Sequence, residues 1–192
     1  MMRKAALGVI LLAIVGMPTI SARGDEEPLN NVVLADLGLH VIGVGYQRTI
    51  SSGIALQLDL ESYTPWTQST NLFGASDGYQ SDLSGIALRF RPIFFGLFGT
   101  GANEGGGAPT GAWFSPFGQF GTARATRDGN VRTGHVWALG AGAGYSWLLW
   151  GRLAILLGAG GQYHVANIPG GDSIPSFKRF YPTLDGNAGY AF

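Results

Sequence analysis

The sequence predicts an all-β chain: a single antiparallel up-and-down transmembrane β-barrel of eight strands. Three observations carry that prediction. Apolar residues recur with a period of two in segment after segment, which is the period of a strand and not of a helix. Only 12% of the 192 residues are charged, about half the usual share, while 32 are glycine and 12% aromatic. All but one of the connections sort by side, short turns at one end and longer polar loops at the other, as at the two ends of a membrane barrel.

The N-terminus, "MMRKAALGVILLAIVGMPTISARG", has Arg3 and Lys4, an apolar run from Ala5 to Met17, then Pro18 and small residues to Ala22. This is the layout of a secretory signal peptide cleaved after Ala22. The apolar run is too short to span a bilayer as a helix, which takes about 20 residues. The expected organisation is therefore a signal peptide at 1–22, a short segment at 23–30 and a barrel over 31–192. Removing Arg3 and Lys4 leaves 10 basic against 12 acidic residues. Such a balance offers no basic field for nucleic acid. The absence of cysteine excludes disulfides, thiolate chemistry and thiolate-bound metals.

Asn31 to Ile50 is 20 residues long, whereas a tilted membrane strand needs only about 9–11. Its apolar parity also changes, with Val33, Leu37 and Leu39 odd and Ile42, Val44 and Tyr46 even. Two strands joined by a tight turn near Gly38–His40 explain both facts, although a bulge would also flip parity. Six further strands are expected at 53–64, 81–93, 113–124, 133–147, 152–165 and 180–192. In "IALQLDLE", Ile54, Leu56, Leu58 and Leu60 share one face and Gln57, Asp59 and Glu61 the other. "ALRFRPIFF" sets Ile86, Leu88 and Phe90 against Ala87, Arg89 and Arg91. "GHVWALGAGAGYSW" sets Trp137, Leu139, Ala141, Ala143, Tyr145 and Trp147 against alanine, glycine and serine. "RLAILLGAGGQYHV" sets Leu153, Ile155, Leu157 and Tyr163 against Gly158, Gly160, Gln162 and His164, and the last strand sets Leu184 and Ala188 against Asp185 and Asn187.

The turns Ile50–Gly53 and Leu149–Arg152 are short, as at a periplasmic end, and the connections around 67–80 and 166–179 are long and polar, as at an outer end. Gly96–Ala112 is long and glycine-rich where a short turn belongs, and reads as a flexible linker.

A soluble sheet would bury the leucines of Ile54–Leu60 and wet its carboxylates; a membrane barrel does the reverse. The reading here is the reverse. Ile54, Leu56, Leu58, Leu60, Ile86, Leu88 and Phe90 then face lipid. Gln57, Asp59, Glu61, Arg89, Arg91, Gln162, His164 and Asp185 form a polar network in the lumen. There Asp59 needs Arg89 or Arg91 on the next strand, because an unpaired buried charge is very unfavourable. Aromatic girdles are expected at the strand ends: Tyr63 and Trp66 outside; Tyr145, Trp147 and Trp150 at the other end, with Phe94, Phe95, Trp113 and Phe114 near them.

The chain ends in Phe192 with Tyr190 two residues before it on the same face. This resembles the terminal-strand signature read by the outer-membrane assembly machinery. That pattern usually carries glycine at the position of Asn187, and here Gly186 and Gly189 flank it instead. The whole arrangement looks like the small eight-stranded outer-membrane barrels of the OmpA/OmpX type. More closely, it resembles an uncharacterised bacterial barrel group through "NNVVLADLG", "GVGYQRTISSGIALQLDL" and "ALGAGAGYSWLLWGRLAILLGAG". The resemblance covers most of the mature chain. It implies a fold and the outer membrane of a Gram-negative bacterium, without an established activity.

An enzyme in such a wall would need a histidine and a serine on neighbouring strands with an orienting carboxylate. His135 and His164 lie on adjoining strands and could approach each other, and His40 is the third histidine. No recognisable triad accompanies them, and a metal site from the histidines and Asp172 has no supporting spacing. "GAGAGYSW" lacks the strand-to-helix turn of a nucleotide loop; its alternating glycines leave room inside a tight barrel for side chains such as Arg89 and Gln162. Neither a catalytic residue, a metal nor a cofactor is expected. The expected partners are outer-membrane lipid and the assembly machinery, with no nucleic acid and an unidentified extracellular ligand. The favoured function is a non-catalytic barrel with a packed polar lumen and a structural or surface-interaction role. The alternatives are a narrow channel or small-ligand barrel, and a lipid-modifying enzyme; a soluble lipocalin-type barrel is the rival fold.

Overall fold

The computed structural model of the chain describes residues 29–38, 41–63, 84–96, 110–127, 130–169 and 178–192. The expected signal peptide, His40, Trp66, Asp172 and residues 97–109 of the expected Gly96–Ala112 linker lie outside them. Eight strands run in order: β1 Asn31–Leu37, β2 Val41–Ser51, β3 Ile54–Tyr63, β4 Ser84–Phe95, β5 Gly111–Arg127, β6 Asn130–Leu149, β7 Leu153–Asn167 and β8 Lys178–Ala191. Each pairs antiparallel with the next, and β1 closes on β8. The long segment 31–50 is thus two strands. The Gly38 amide donates to the Val41 carbonyl at 2.9 Å, closing the reversal that shifts the apolar parity.

The turn between β6 and β7 is tight, with three residues between Leu149 and Leu153. Arg152 donates to the Leu149 carbonyl at 3.1 Å, and the two central residues both have positive φ, 50° at Trp150 and 74° at Gly151. That backbone matches the twist of the strands it joins. Glycine adopts it freely; tryptophan rarely does, and Trp150 stands 88% exposed at the tip.

Alternation sorts each strand into two faces. Outward are Ile54, Leu56, Leu58 and Leu60 on β3, Ile86, Leu88 and Phe90 on β4, and Leu139, Tyr145 and Trp147 on β6, all exposed. Two aromatic belts bound this apolar surface. Phe120, Trp137, Tyr163 and Phe180 lie on four neighbouring strands at the loop-bearing end, with Trp137 and Tyr163 rings 6.2 Å apart. Tyr46, Phe114, Tyr145, Trp147 and Phe192 lie at the end that carries the termini. Trp137 and Trp147 are ten residues apart on β6, about 33 Å along a strand and roughly 23–27 Å in height at the usual tilt.

The interior is not uniform. Val32, Leu34, Ala55, Ile93, Phe95, Trp113, Ala154, Leu156 and Ala191 form a buried apolar cluster near the termini. Two rings expected in the girdle are therefore inside: Phe95 is 6% exposed and Trp113 1%. The interior glycines also make room for different side chains than expected. A Cβ on Gly142, Gly144 or Gly158 would meet the Trp113 ring, and one on Gly140 would meet Phe117. The glycine-rich stretch of β6 and β7 accommodates indole and phenyl rings projecting from β5.

Candidate functional site

Above the apolar cluster, the middle of the lumen holds a charged layer. Asp59 and Glu61 come from β3, Arg89 and Arg91 from β4, Asp36 from β1, Gln119 from β5, and Asp185 and Asn187 from β8, all buried. Their strands present them inward because each sits on the same parity as its small or buried neighbours, and register does the rest. Asp59 is opposite Arg89, Gln57 opposite Arg91, and Asp36 opposite Asn187.

Arg89 is the hub. One terminal nitrogen, Nη2, meets Asp36 at 2.5 Å and the other, Nη1, meets Asp185 at 3.1 Å. Its Nε lies 2.7 Å from Glu61 and donates to Asp59 at 3.3 Å. A planar guanidinium offers five N–H donors in a fixed fork, which suits one cation to several acceptors. The phenyl ring of Phe117 lies 5.7 Å from its central carbon. Arg91, fully buried, pairs with Asp185 at 3.2 Å, donates to Gln57 Oε1 at 3.3 Å and stacks 5.3 Å over Trp113. Gln57 in turn donates to Asp59 at 2.7 Å and Asn187 at 3.2 Å, and Gln119 donates to Glu61 at 2.5 Å. The network ties β1, β3, β4, β5 and β8 together across the bore.

Of the residues singled out from the sequence, Gln57, Asp59, Glu61, Arg89, Arg91 and Asp185 meet in this layer. Gln162 lies nearer the loop end, lining a cavity of about 20 Å³ with Glu61, Arg89, Gln119, Thr183 and Asp185. That is room for about one water molecule. His164 packs edge-on against Tyr181 with centroids 5.9 Å apart. His135 faces outward and stacks on Phe120, so the two histidines are on opposite faces of the wall and do not come together. Tyr145 and Trp147 are exposed with rings 4.9 Å apart. Tyr63 ends β3. Tyr190 is half-buried on the outer face, where its hydroxyl accepts from Arg152 at 2.5 Å, and Phe192 is 44% exposed beside it.

Sequence reasoning missed Asp36, Gln119 and Asn187 as members of the network. Asp36 carries no clear signal, because Val32 and Leu34 on its own face are as apolar as Val33, Ala35 and Leu37 on the other. Asp36, Asp59 and Glu61 can each offer an oxygen within 4.8 Å of the others, a spacing that suits a metal ion. Arg89 already contacts all three, so the cation that this trio balances is a guanidinium.

No protein-family model matches the chain, and no curated protein does either. Among solved structures, the chain is similar to Neisserial surface protein A, at 14% identity and TM-score 0.56, covering 87% of this chain and all of that one. It is similar also to the N-terminal β-barrel domain of Pseudomonas aeruginosa OprF, at 12% identity and TM-score 0.50, covering 86% of this chain and all of that domain. At such identities the likeness speaks for the fold. With its eight-strand closure and inward charge layer, this chain has the fold of the small eight-stranded outer-membrane barrels.

Proposed function

We propose that the chain is a non-catalytic outer-membrane barrel with a plugged lumen, serving as a wall element or presenting its loops outside a Gram-negative cell. The observation that carries this reading is the filled bore. A charge layer centred on Arg89 crosses its middle, and the Trp113 cluster closes it below. Eight strands enclose a space that side chains can fill.

The outer surface supports the membrane part of the reading. Its apolar zone between the aromatic belts is about as tall as the roughly 25 Å band of membrane barrels. Lipid then covers Ile54, Leu56, Leu58, Leu60, Ile86, Leu88 and Phe90, while Tyr145, Trp147 and Trp150 sit at the inner interface. Residues 1–22 act as the export signal, and Tyr190 and Phe192 are the handle for the assembly machinery. One similar structure is by its name a surface protein. A narrow channel fits less well, because the room left by the lumen glycines is taken by Trp113 and Phe117. Insertion of the purified barrel into planar bilayers tests the plug: no discrete openings are expected, and steady unitary conductance would overturn it. Recovery in the aqueous periplasmic extract would overturn the membrane assignment.

A further inference from the structure

The wall of the barrel is not bonded equally all the way round. Between β4 and β5 the pairs run Leu88↔Phe120, Arg89↔Gln119 and Phe90↔Gly118, then stop until Phe94↔Phe114 and Phe95↔Trp113. The gap is four residues from pair to pair on both strands, so register is kept and no bulge explains it. Pro92 faces Pro116 at its centre.

Direction matters here. Phe95 donates to Gly53 on the β3 side at 2.8 Å, and Gly96 donates to Ala112 on the β5 side at 3.3 Å. Amides alternate sides along a strand, so the even-numbered residues of β4 aim at β5. Pro92 and Pro116 therefore occupy a pair that would exchange two N–H···O bonds, and neither has an N–H. The ladders on the far sides, β3–β4 and β5–β6, pass Pro92 and Pro116 without interruption, as this direction requires. Two carbonyls in the apolar zone thus lose their donors, where an unsatisfied group is worth several kcal/mol. Ser115, 1% exposed, supplies the replacement. Its hydroxyl donates to the Pro92 carbonyl at 2.7 Å and reaches the Pro116 carbonyl at 3.2 Å. One proton stands in for two amides. Just inside lie Arg91 and Trp113, whose Nη2 and Nε1 have no hydrogen-bond partner among the described residues.

We propose that this proline pair is a side port held by Ser115. The wall parts first between β4 and β5, and a small neutral hydrogen-bond acceptor such as water reaches Arg91 from the flank of the barrel. The four buried carboxylates around two guanidinium groups repel an anion, and the donor groups of Arg91 and Trp113 that the molecule would meet repel a cation, which leaves a neutral acceptor.

Amide hydrogen exchange of the whole folded chain in lipid nanodiscs, with D2O as the probe, tests it. Phe90, Phe94, Phe114 and Gly118, whose amides face the seam, should exchange faster than their counterparts between β6 and β7. Ser115→Ala should speed them about tenfold, the loss of roughly one hydrogen bond. Pro116→Val, which returns a donor opposite the Pro92 carbonyl, should slow them, and the double variant should lie near the parent. Seam amides as slow as those of β6–β7, or no response to Ser115→Ala, would sink the proposal. Should that variant not fold, Pro116→Val decides alone, with unchanged exchange counting against the port. The outcome is separate from the plugged-lumen reading, since a conducting barrel would refute that reading and leave these rates as they are.

Discussion

Replacing Arg89 with methionine keeps the length of the side chain and removes the charge that four carboxylates share. Asp36, Glu61, Asp185 and Asp59 lie 2.5, 2.7, 3.1 and 3.3 Å from its nitrogens. Four buried carboxylates would then face Arg91 alone. Breaking one buried ion pair by deleting a partner destabilises by about 3–5 kcal/mol. The four contacts share one guanidinium and do not add, so the whole loss should fall in that same range. About 4 kcal/mol is roughly a thousandfold in the folding equilibrium. Urea unfolding of the barrel in lipid vesicles, followed by tryptophan fluorescence and by the gel shift on boiling, measures it. Adding Asp36→Asn and Asp59→Asn should recover part of the loss. Exchanging charges through Asp59→Arg with Arg89→Asp should recover little, because Asp36, Glu61 and Asp185 would still lack the hub. Arg152→Met, an exposed arginine on the Tyr190 hydroxyl, is the control and should shift stability by less than about 1 kcal/mol. An Arg89→Met loss no larger than the control would refute the idea that this guanidinium organises the lumen.

Other variants probe the rest of the fold. Trp113→Ala empties the space beside Gly142, Gly144 and Gly158 and should destabilise by about 3–5 kcal/mol in the same unfolding assay. Gly158→Ala should lose about 1–3 kcal/mol against the Trp113 ring and the Ala143 carbonyl; in a Trp113→Leu background that loss should shrink, and an unchanged loss would mean that the ring is not the obstacle. Leu58→Arg, at a half-exposed outward position in the apolar zone, should destabilise by about 2–4 kcal/mol in lipid vesicles, and no effect there would argue that the site faces water. Deleting Phe192 should lower the amount of barrel recovered from outer membranes while purified chain refolds normally; equal recovery would remove the assembly role.

Alternation carries far in this chain because most strands keep bulky apolar residues to one face. Ile54–Leu60 and Ile86–Phe90 reveal their faces directly, and hairpin pairing then brings Asp59 opposite Arg89. The parity change after Leu37 likewise marks the first turn. The method fails in β5. Trp113 and Phe117 point inward, Phe114 and Phe120 outward, so apolar residues occupy both faces and period alone cannot say which is which. It fails again at the terminal end of the lumen, where the interior is apolar and Leu34, Ile93 and Leu156 look no different from lipid-facing residues. Asp36 lies in a strand with apolar residues on both faces and on a different strand from its partner, so only closure of the barrel brings it to Arg89.

The opposition of one indole to a patch of bare backbone separates two properties that a cylinder normally couples. Circumference belongs to the number of strands and their stagger, which many residues hold in common. Calibre near the termini depends on the side chains projected across the hollow, of which Trp113 is the largest. A change at Trp113 therefore alters how that end is filled without redrawing the outline of the cylinder, while the charge layer above it still closes the bore.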